Sequence, residues 1–233
     1  MPKKRTLALA GAASVAALAA ALSTSPAFAA GSTGVLGWGG ANPSGTNVAT
    51  SDTLTGTLQS GSGVFTFDSG SSVVTITCSG ASISANATSN PTAPGTADLN
   101  LNTLSFTGCT VSGLSGITVG SIQLKSAASV QITDSPDAFV ITSLNEVVKL
   151  NSAFGTLTCD YGTGTGASTI SGAITNPNSA GTGGSIAFSD APVAYISGAS
   201  ACGSSAHLGS FTAKFNSVSD TNGSGSNIAV YDN

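Results

Sequence analysis

The sequence predicts an all-β protein, a disulfide-stapled β-sandwich or partly closed barrel that follows an N-terminal signal peptide. Three observations predict this class. Apolar residues alternate with Ser, Thr and Asn over many short segments, which is the period of a half-buried strand. The chain contains 30 glycines, and turn-forming Asn, Asp, Gly and Pro residues separate these segments. After residue 30, no segment carries the apolar stripe of an amphipathic helix.

The N-terminus has the three parts of a secretory signal peptide. Residues 3–5 are Lys-Lys-Arg, an uncharged apolar run extends to Leu22, and residues 27–29 form an Ala-Phe-Ala cleavage site. We expect residues 1–29 to be removed and the mature protein to be secreted and extracellular. We also expect the mature chain to have no transmembrane segment, because no second apolar run of spanning length follows.

A glycine-rich arm is predicted at residues 30–50. Trp38, the only tryptophan, lies in its middle. One interpretation is that Trp38 is an exposed aromatic contact for a sugar or another surface. The other is that Trp38 folds back and closes one end of the domain, since an indole ring buries a large apolar area.

Residues 51–233 are predicted to be a single domain of successive strands. The clearest strand is 211–215, where Phe and Ala alternate with Thr and Lys. Changes of phase predict β-bulges near Asn102 or Thr103 and at Gly120. The best helical candidate is 143–150, which fits a strand equally well. The apolar positions of the alternation predict one common core, made of Val74, Ile76, Leu104, Phe106, Phe139, Ile141, Leu157, Ile186, Phe188, Phe211 and Phe215.

Four cysteines in an exported chain indicate two disulfides. Three pairings are possible, and we predict the sequential one, Cys78–Cys109 and Cys159–Cys202, because each pair brackets a run of strands. A Thr-Cys motif at each first cysteine, followed by similar strand and loop patterns, predicts two similar halves, although chance in a low-complexity sequence explains it as well. There is no C-x-x-C spacing and one histidine, so we expect no metal and no cofactor.

The charge of the chain excludes several classes of partner. After the predicted cleavage site, three lysines against ten acidic residues leave a net charge of −7. Three scattered lysines cannot supply the phosphate contacts on which nucleic-acid binding depends, and anionic membranes are disfavoured for the same reason. The sparsely charged, Ser- and Thr-rich surface suits cell-envelope polysaccharide, a matrix or a hydrophobic surface as partner.

The stretch VTITCSGASIS, a Pro- and Gly-rich gap and LNLNTLSFTGCTV cover roughly residues 70–120. This region resembles the cysteine signature of small exported all-β, two-disulfide proteins of actinobacteria, which have no assigned function. It is more distantly similar to the exported activators of alkane oxidation. The second resemblance implies an extracellular or matrix protein that meets hydrophobic material. Neither resemblance implies a catalytic residue.

The predicted function is that of a non-catalytic secreted protein of a structural, matrix or cell-surface-associated kind. One alternative is a module that binds a small hydrophobic ligand or a carbohydrate, and a hydrophobic ligand would need an apolar cavity inside the domain. The other is a secreted hydrolase in which His207, the sole histidine, activates a neighbouring serine. No G-x-S-x-G motif supports the hydrolase.

Overall fold

The computed structural model describes residues 34–38, 46–59, 61, 63–68, 72–178, 183–216, 218–222 and 228–230. The predicted signal peptide and part of the predicted arm lie outside the described residues. Within the described ranges, no helix is long and apolar enough to cross a membrane.

The described residues fold almost entirely into β-strands, which the alternating sequence pattern predicts. The strands are β1 Leu36–Trp38, β2 Thr46–Asn47, β3 Thr53–Thr57, β4 Gly63–Asp68, β5 Val73–Ser89, β6 Thr96–Ser112, β7 Thr118–Leu124, β8 Ala128–Asp134, β9 Asp137–Thr142, β10 Asn145–Ser152, β11 Gly155–Gly162, β12 Ile170–Thr175, β13 Ser185–Gly198, β14 Leu208–Asn216, β15 Ser219–Asp220 and β16 Ile228–Val230. A single 3-10 turn spans Ser200–Cys202 within these ranges. The segment 143–150, the best helical candidate, lies in strand β10 and the residues leading into it.

Of the two predicted architectures, the structure takes the barrel, and the barrel closes completely. Strands β4, β5, β6, β8, β9, β12, β13 and β14 form a ring of eight antiparallel neighbours. Four other strands lengthen this wall. Strands β7, β10 and β11 lie in line with β8, β9 and β12 and extend the wall toward one end of the barrel. Strand β3 lies in line with β4 and extends the wall toward the other end. The chain runs alternately up and down around the ring, and the pairing of β14 with β4 closes it, so the fold is an up-and-down barrel.

The interior of the barrel is filled with apolar side chains. Ten of the eleven predicted core residues are buried. A cluster of phenylalanine rings occupies its centre, with the ring centroids of Phe65 and Phe211 stacked 4.8 Å apart and Phe106 and Phe188 packed against Phe211. The exception is Leu157, which is half-buried. It lies in the first residues of β11, which extend past the end of the neighbouring strand β13.

The bulges lie where the sequence pattern predicts them. Asn102 is the extra residue between the pairs Ser84–Thr103 and Ala85–Leu101. Gly120 is the extra residue between the pairs Lys149–Ser121 and Leu150–Val119.

A small second sheet covers one end of the barrel, which we call the capped end. In this sheet, β1 pairs with both β2 and β16. Leu36 is completely buried, and Asn90, after β5, binds its backbone: Oδ1 accepts from the Leu36 N–H at 2.8 Å, and Nδ2 donates to the Leu36 carbonyl at 2.7 Å. Nδ2 also donates to the Val48 carbonyl at 2.9 Å. One amide side chain therefore holds two parts of the cap on the barrel.

Both predicted disulfides are confirmed. Cys78 is bonded to Cys109 across the paired strands β5 and β6, and Cys159 of β11 is bonded to Cys202 in the turn after β13. Cys78, Cys159 and Cys202 are fully buried, whereas Cys109 is half-buried. The two similar halves stay a prediction.

Candidate functional site

The exposed large apolar side chains of the described residues all lie at the end of the barrel opposite the cap. They are Val73, Phe154, Ile196 and Leu208. Val73 begins β5, Phe154 lies in the β10–β11 turn, Ile196 is near the end of β13, and Leu208 begins β14. We call these four residues, with the chain connections 113–117, 153–154 and 199–207 that join strands at this end, the apolar rim.

Phe154 is the most prominent residue of the rim. Its side chain is fully exposed, at the tip of a tight turn between Ser152 and Gly155. The turn is held by Ser152, whose Oγ donates to the Gly155 carbonyl at 2.8 Å and accepts from the Phe154 N–H at 3.1 Å. Because β11 pairs with β13 only from Cys159 onward, this hairpin extends about 13 Å beyond the end of β13, at roughly 3.3 Å per residue.

Ile196 and Leu208 form a second part of the rim on the outer wall. Leu208 is paired with Ala194, two residues before Ile196 on the neighbouring strand. Ile196 is the extra residue of a bulge, because Tyr195 pairs with Tyr161 while Ser197 pairs with Asp160. Diagonal neighbours of this kind lie within reach of one another. The bulge therefore exposes an isoleucine beside an exposed leucine.

The rim also lacks formal charge. Its three connections contain no Asp, Glu, Lys or Arg, although 199–207 includes His207. Asp68 is the charged residue paired with Val73 of the rim. At the capped end, by contrast, there are four acidic residues: Asp52 precedes β3, Asp137 begins β9, and Asp134 and Asp220 end β8 and β15. Among the described residues, the barrel therefore has more acidic residues at the capped end than at the apolar end.

The sequence pattern did not identify Phe154 as a site residue. The alternation that identifies core positions says nothing about an aromatic residue in a turn. The available signal was a phenylalanine between turn-forming Asn151, Ser152 and Gly155, where no strand periodicity accounts for it.

Trp38, the predicted surface contact, lies at the capped end and not in the rim. It is half-buried in the cap sheet, where it pairs with Thr46 of β2 and Ile228 of β16. Leu36 and its buried neighbour Val35, rather than the indole, provide the deeply buried part of the cap.

His207 is exposed in the connection before β14. Its Nδ1 lies 3.4 Å from Ser204 Oγ, a contact three residues apart in the same connection. Among the described residues, the single ion pair is Lys125–Asp160, and no carboxylate is paired with the His207 ring. For the predicted hydrolase alternative, His207 therefore has a serine nearby. A catalytic imidazole is also oriented by a carboxylate, and no such contact to His207 occurs among the described residues.

Two buried acidic residues lie close together on β10 and β11. Asp160 accepts hydrogen bonds from Lys125 Nζ at 2.7 Å and Ser197 Oγ at 2.8 Å, and the Lys125 hydrogen bond holds the pKa of Asp160 below its usual value. Glu146 is 2% exposed, on the interior-facing side of β10 with Val148 and Leu150. Desolvation raises the pKa of Glu146 to about 8, so this side chain is largely a neutral acid at pH 7.

Tyr161 pairs with Glu146 across the two strands. Its hydroxyl donates to the Cys202 carbonyl, and burial raises the pKa of the phenol. The contact joins the barrel interior to the Cys159–Cys202 bridge, which gives these residues a structural role.

In the part of the chain that the structure describes, no group of three or more His, Cys, Asp or Glu side chains comes together to hold a metal ion. No family model matches the chain, and no curated protein or solved structure matches it either. The resemblance to exported actinobacterial proteins therefore stays a prediction.

Proposed function

We propose that this protein is a non-catalytic, secreted, surface-associated protein that attaches to an uncharged hydrophobic surface through the apolar rim. The observation that supports the proposal is the position of Val73, Phe154, Ile196 and Leu208, which are the exposed large apolar residues of the described chain and share one end of the barrel. Exposed apolar groups gathered at one site are typical of interaction surfaces.

The chemistry of the rim favours an uncharged partner. Contact with hydrocarbon removes water from every group at the interface, and this is costly for a charge. Serines, glycines and apolar residues make up almost all of the rim connections, so the contact would desolvate few charged groups. An anionic surface would instead meet a chain with an excess of acidic residues and would be repelled.

The shape of the rim supports the same partner. Phe154 projects at the tip of a hairpin and would enter the apolar phase first, while Ile196 and Leu208 lie further back on the wall. A phenylalanine transferred from water contributes about 2–3 kcal/mol. Several such residues acting together give reversible attachment.

The proposal is tested by partition of the purified mature protein onto hexadecane droplets and onto vesicles of uncharged phosphatidylcholine. We expect saturable adsorption to one or both, with little dependence on salt. The variant Phe154→Asp should weaken adsorption at least tenfold, because a charge would have to enter the apolar phase.

The matched control is Asn100→Asp, which adds the same charge to an exposed position of β6 on the wall toward the capped end. It should adsorb as the unchanged protein does. Equal adsorption of the Phe154 variant and the unchanged protein would contradict the proposal, as would adsorption only to anionic vesicles.

A further inference from the structure

The charge of the apolar rim depends on one side chain, that of His207. All residues of the rim are described, and its three connections contain no Asp, Glu, Lys, Arg or Tyr. The cysteine among them, Cys202, is bonded to Cys159 and has no proton to lose. The imidazole is therefore the one group of the rim that can gain a charge.

His207 lies next to one of the four exposed apolar residues. It directly precedes Leu208, which is 44% exposed at the start of β14, and consecutive Cα atoms are about 3.8 Å apart. The His207 side chain is itself exposed. A surface that covers Leu208 therefore also meets the imidazole.

The connection that carries His207 is held at several points. The His207 N–H donates to the Ser204 carbonyl at 3.1 Å and closes a turn, and the Cys202 N–H donates to the Ala199 carbonyl at 2.8 Å. The disulfide of Cys202 ties the connection to β11, and the Tyr161 hydroxyl donates to the Cys202 carbonyl. These bonds keep the connection, and with it the imidazole, at the rim.

The strands around this connection present few ionisable groups. Strand β4 ends against it at Asp68, whose carbonyl oxygen would lie 2.9 Å from a Cβ placed on Gly203. On β13, the Tyr195 hydroxyl donates to a backbone carbonyl, and on β11, Asp160 is paired with Lys125. Of these side-chain types, only histidine ordinarily changes its charge between about pH 5 and pH 8.

Protonation of His207 changes the free energy of contact with hydrocarbon. A neutral imidazole loses polar hydration when it is covered, whereas an imidazolium is a charge, and removing an isolated charge from water is far more costly. The charged ring therefore keeps its water and opposes the burial of Leu208. Phe154 lies on the separate β10–β11 hairpin, so its own contact is affected less.

We propose that His207 makes attachment through the rim depend on pH, so that the protein adheres to an uncharged hydrophobic surface in neutral or mildly alkaline medium and is released in mild acid. This inference rests on the proposed function, because it concerns the regulation of the same surface. The charge on one imidazole is sufficient for the change, and the barrel keeps its structure.

Binding to octyl-agarose beads at pH 8 and at pH 5, at one ionic strength, tests the proposal, since the octyl chains do not titrate. We expect the unchanged protein to bind about fivefold more weakly at pH 5. His207→Gln should bind at both pH values as the unchanged protein does at pH 8, and His207→Arg should bind weakly at both. Equal binding of the unchanged protein at the two pH values, or a pH dependence that persists in His207→Gln, would overturn the inference.

A histidine placed elsewhere provides the matched control. The double variant His207→Gln with Asn100→His has the same histidine content, with the ring at an exposed position of β6 toward the capped end. It should bind equally at the two pH values. A pH dependence restored in this variant would mean that the position of the histidine is irrelevant and would overturn the inference.

The two pH values also separate this inference from the proposed function. Absence of binding at pH 8 would contradict both attachment through the rim and its regulation, whereas equal binding at pH 8 and pH 5 would contradict the regulation alone. Unfolding should not imitate release in acid. Burial raises the pKa of Glu146 to about 8, so this residue stabilises the fold more at pH 5 than at pH 8.

Discussion

Asn90 binds both backbone polar groups of Leu36, which lies 54 residues earlier in the chain. This pairing substitutes for a strand partner, since the asparagine amide presents a donor and an acceptor in the geometry of a peptide group. It fixes the short strand β1 over the end of the barrel. Asn90 should therefore contribute strongly to the stability of the cap, beside the bond from the Val35 N–H to the Pro91 carbonyl at 3.0 Å.

Asn90→Ala should loosen the cap without unfolding the barrel. Three hydrogen bonds are lost, which corresponds to about 2–4 kcal/mol of local stability. Hydrogen exchange should become much faster for the amides of Leu36 and Val48, while amides of β6 keep their protection. Asn100→Ala, at an exposed position of β6, is the control and should change neither set. Equal acceleration across the whole barrel would contradict this prediction.

Phe211→Ala should destabilise the protein by about 3–5 kcal/mol. Phe211 is 4% exposed and lies among Phe65, Phe106 and Phe188, so its truncation leaves a cavity at the centre. Ser210→Ala, on the outer face of the same strand, should cost under about 1 kcal/mol. Denaturant unfolding of both variants measures the difference, and similar midpoints would contradict the packing.

Thr212 also alternates with Phe211 on β14, but Thr212→Ala is a poorer control for Phe211→Ala than Ser210→Ala is. Its hydroxyl accepts from the Asp190 N–H at 3.0 Å and donates to the Asp190 carboxylate at 3.1 Å. Asp190 has a φ of 47° in the bulge of β13, so this threonine supports an unusual backbone conformation. We expect Thr212→Ala to cost more than Ser210→Ala.

Glu146 should make stability fall between about pH 4.5 and pH 8. Its pKa rises from 4.5 to about 8 on folding, so the folded state binds the proton more tightly. This proton stabilises the folded state fully below the pKa of the unfolded state, and the stabilisation is lost as pH rises through the pKa of the folded state. Between these two pKa values the free energy of unfolding falls by about 1.4 kcal/mol per pH unit. Glu146→Gln should flatten this dependence in denaturant unfolding. A variant with the same slope as the unchanged protein would contradict the assignment.

Removal of the second bridge, by Cys159→Ala with Cys202→Ala, should cost about 4 kcal/mol in the chain-entropy model, because the bridge closes a long loop. Denaturant unfolding measures the loss. Peptide mapping of the unreduced protein checks the pairing independently. A peptide that joins Cys78 to Cys159 or Cys202 would contradict both bridges.

The sequence predicted the strands, core and bridges because each has a local signal. Period-two alternation identifies which face of a strand is apolar, and Asn102 and Gly120 were recognisable as bulges because the alternation changes phase there. Full closure into a barrel was not predictable, since it depends on β14 meeting β4, far apart in the chain.

The alternation did not predict the change of buried face at Ser79 and Gly108. Ser79 and Gly108 lie between the paired residues of β5 and β6, and Gly108 has a φ of 61°. The register of the two strands is the same on both sides of this point, but the buried face changes. Ala81 and Phe106 lie on the buried face on one side, and Cys78 and Cys109 on the other. A glycine in a strand is a weak signal for such a change, because the sequence contains so many glycines.

The rim could not be predicted for a similar reason. Val73, Phe154, Ile196 and Leu208 are far apart in the sequence, and only the up-and-down order of the strands brings them to one end. Trp38 was predicted as a surface contact because it is the only tryptophan and lies in a glycine-rich arm. The fold places it in the cap sheet, at the end of the barrel opposite the rim.

The position of Trp38 provides the most direct test of attachment through the rim. Its fluorescence reports on the capped end in the unchanged protein. The double variant Trp38→Phe with Phe154→Trp moves the only indole to the tip of the rim. On addition of hexadecane droplets, we predict a blue shift and protection from aqueous quenchers for the indole at position 154, and no change for the native Trp38. A blue shift of Trp38 with no change at position 154 would contradict attachment through the rim.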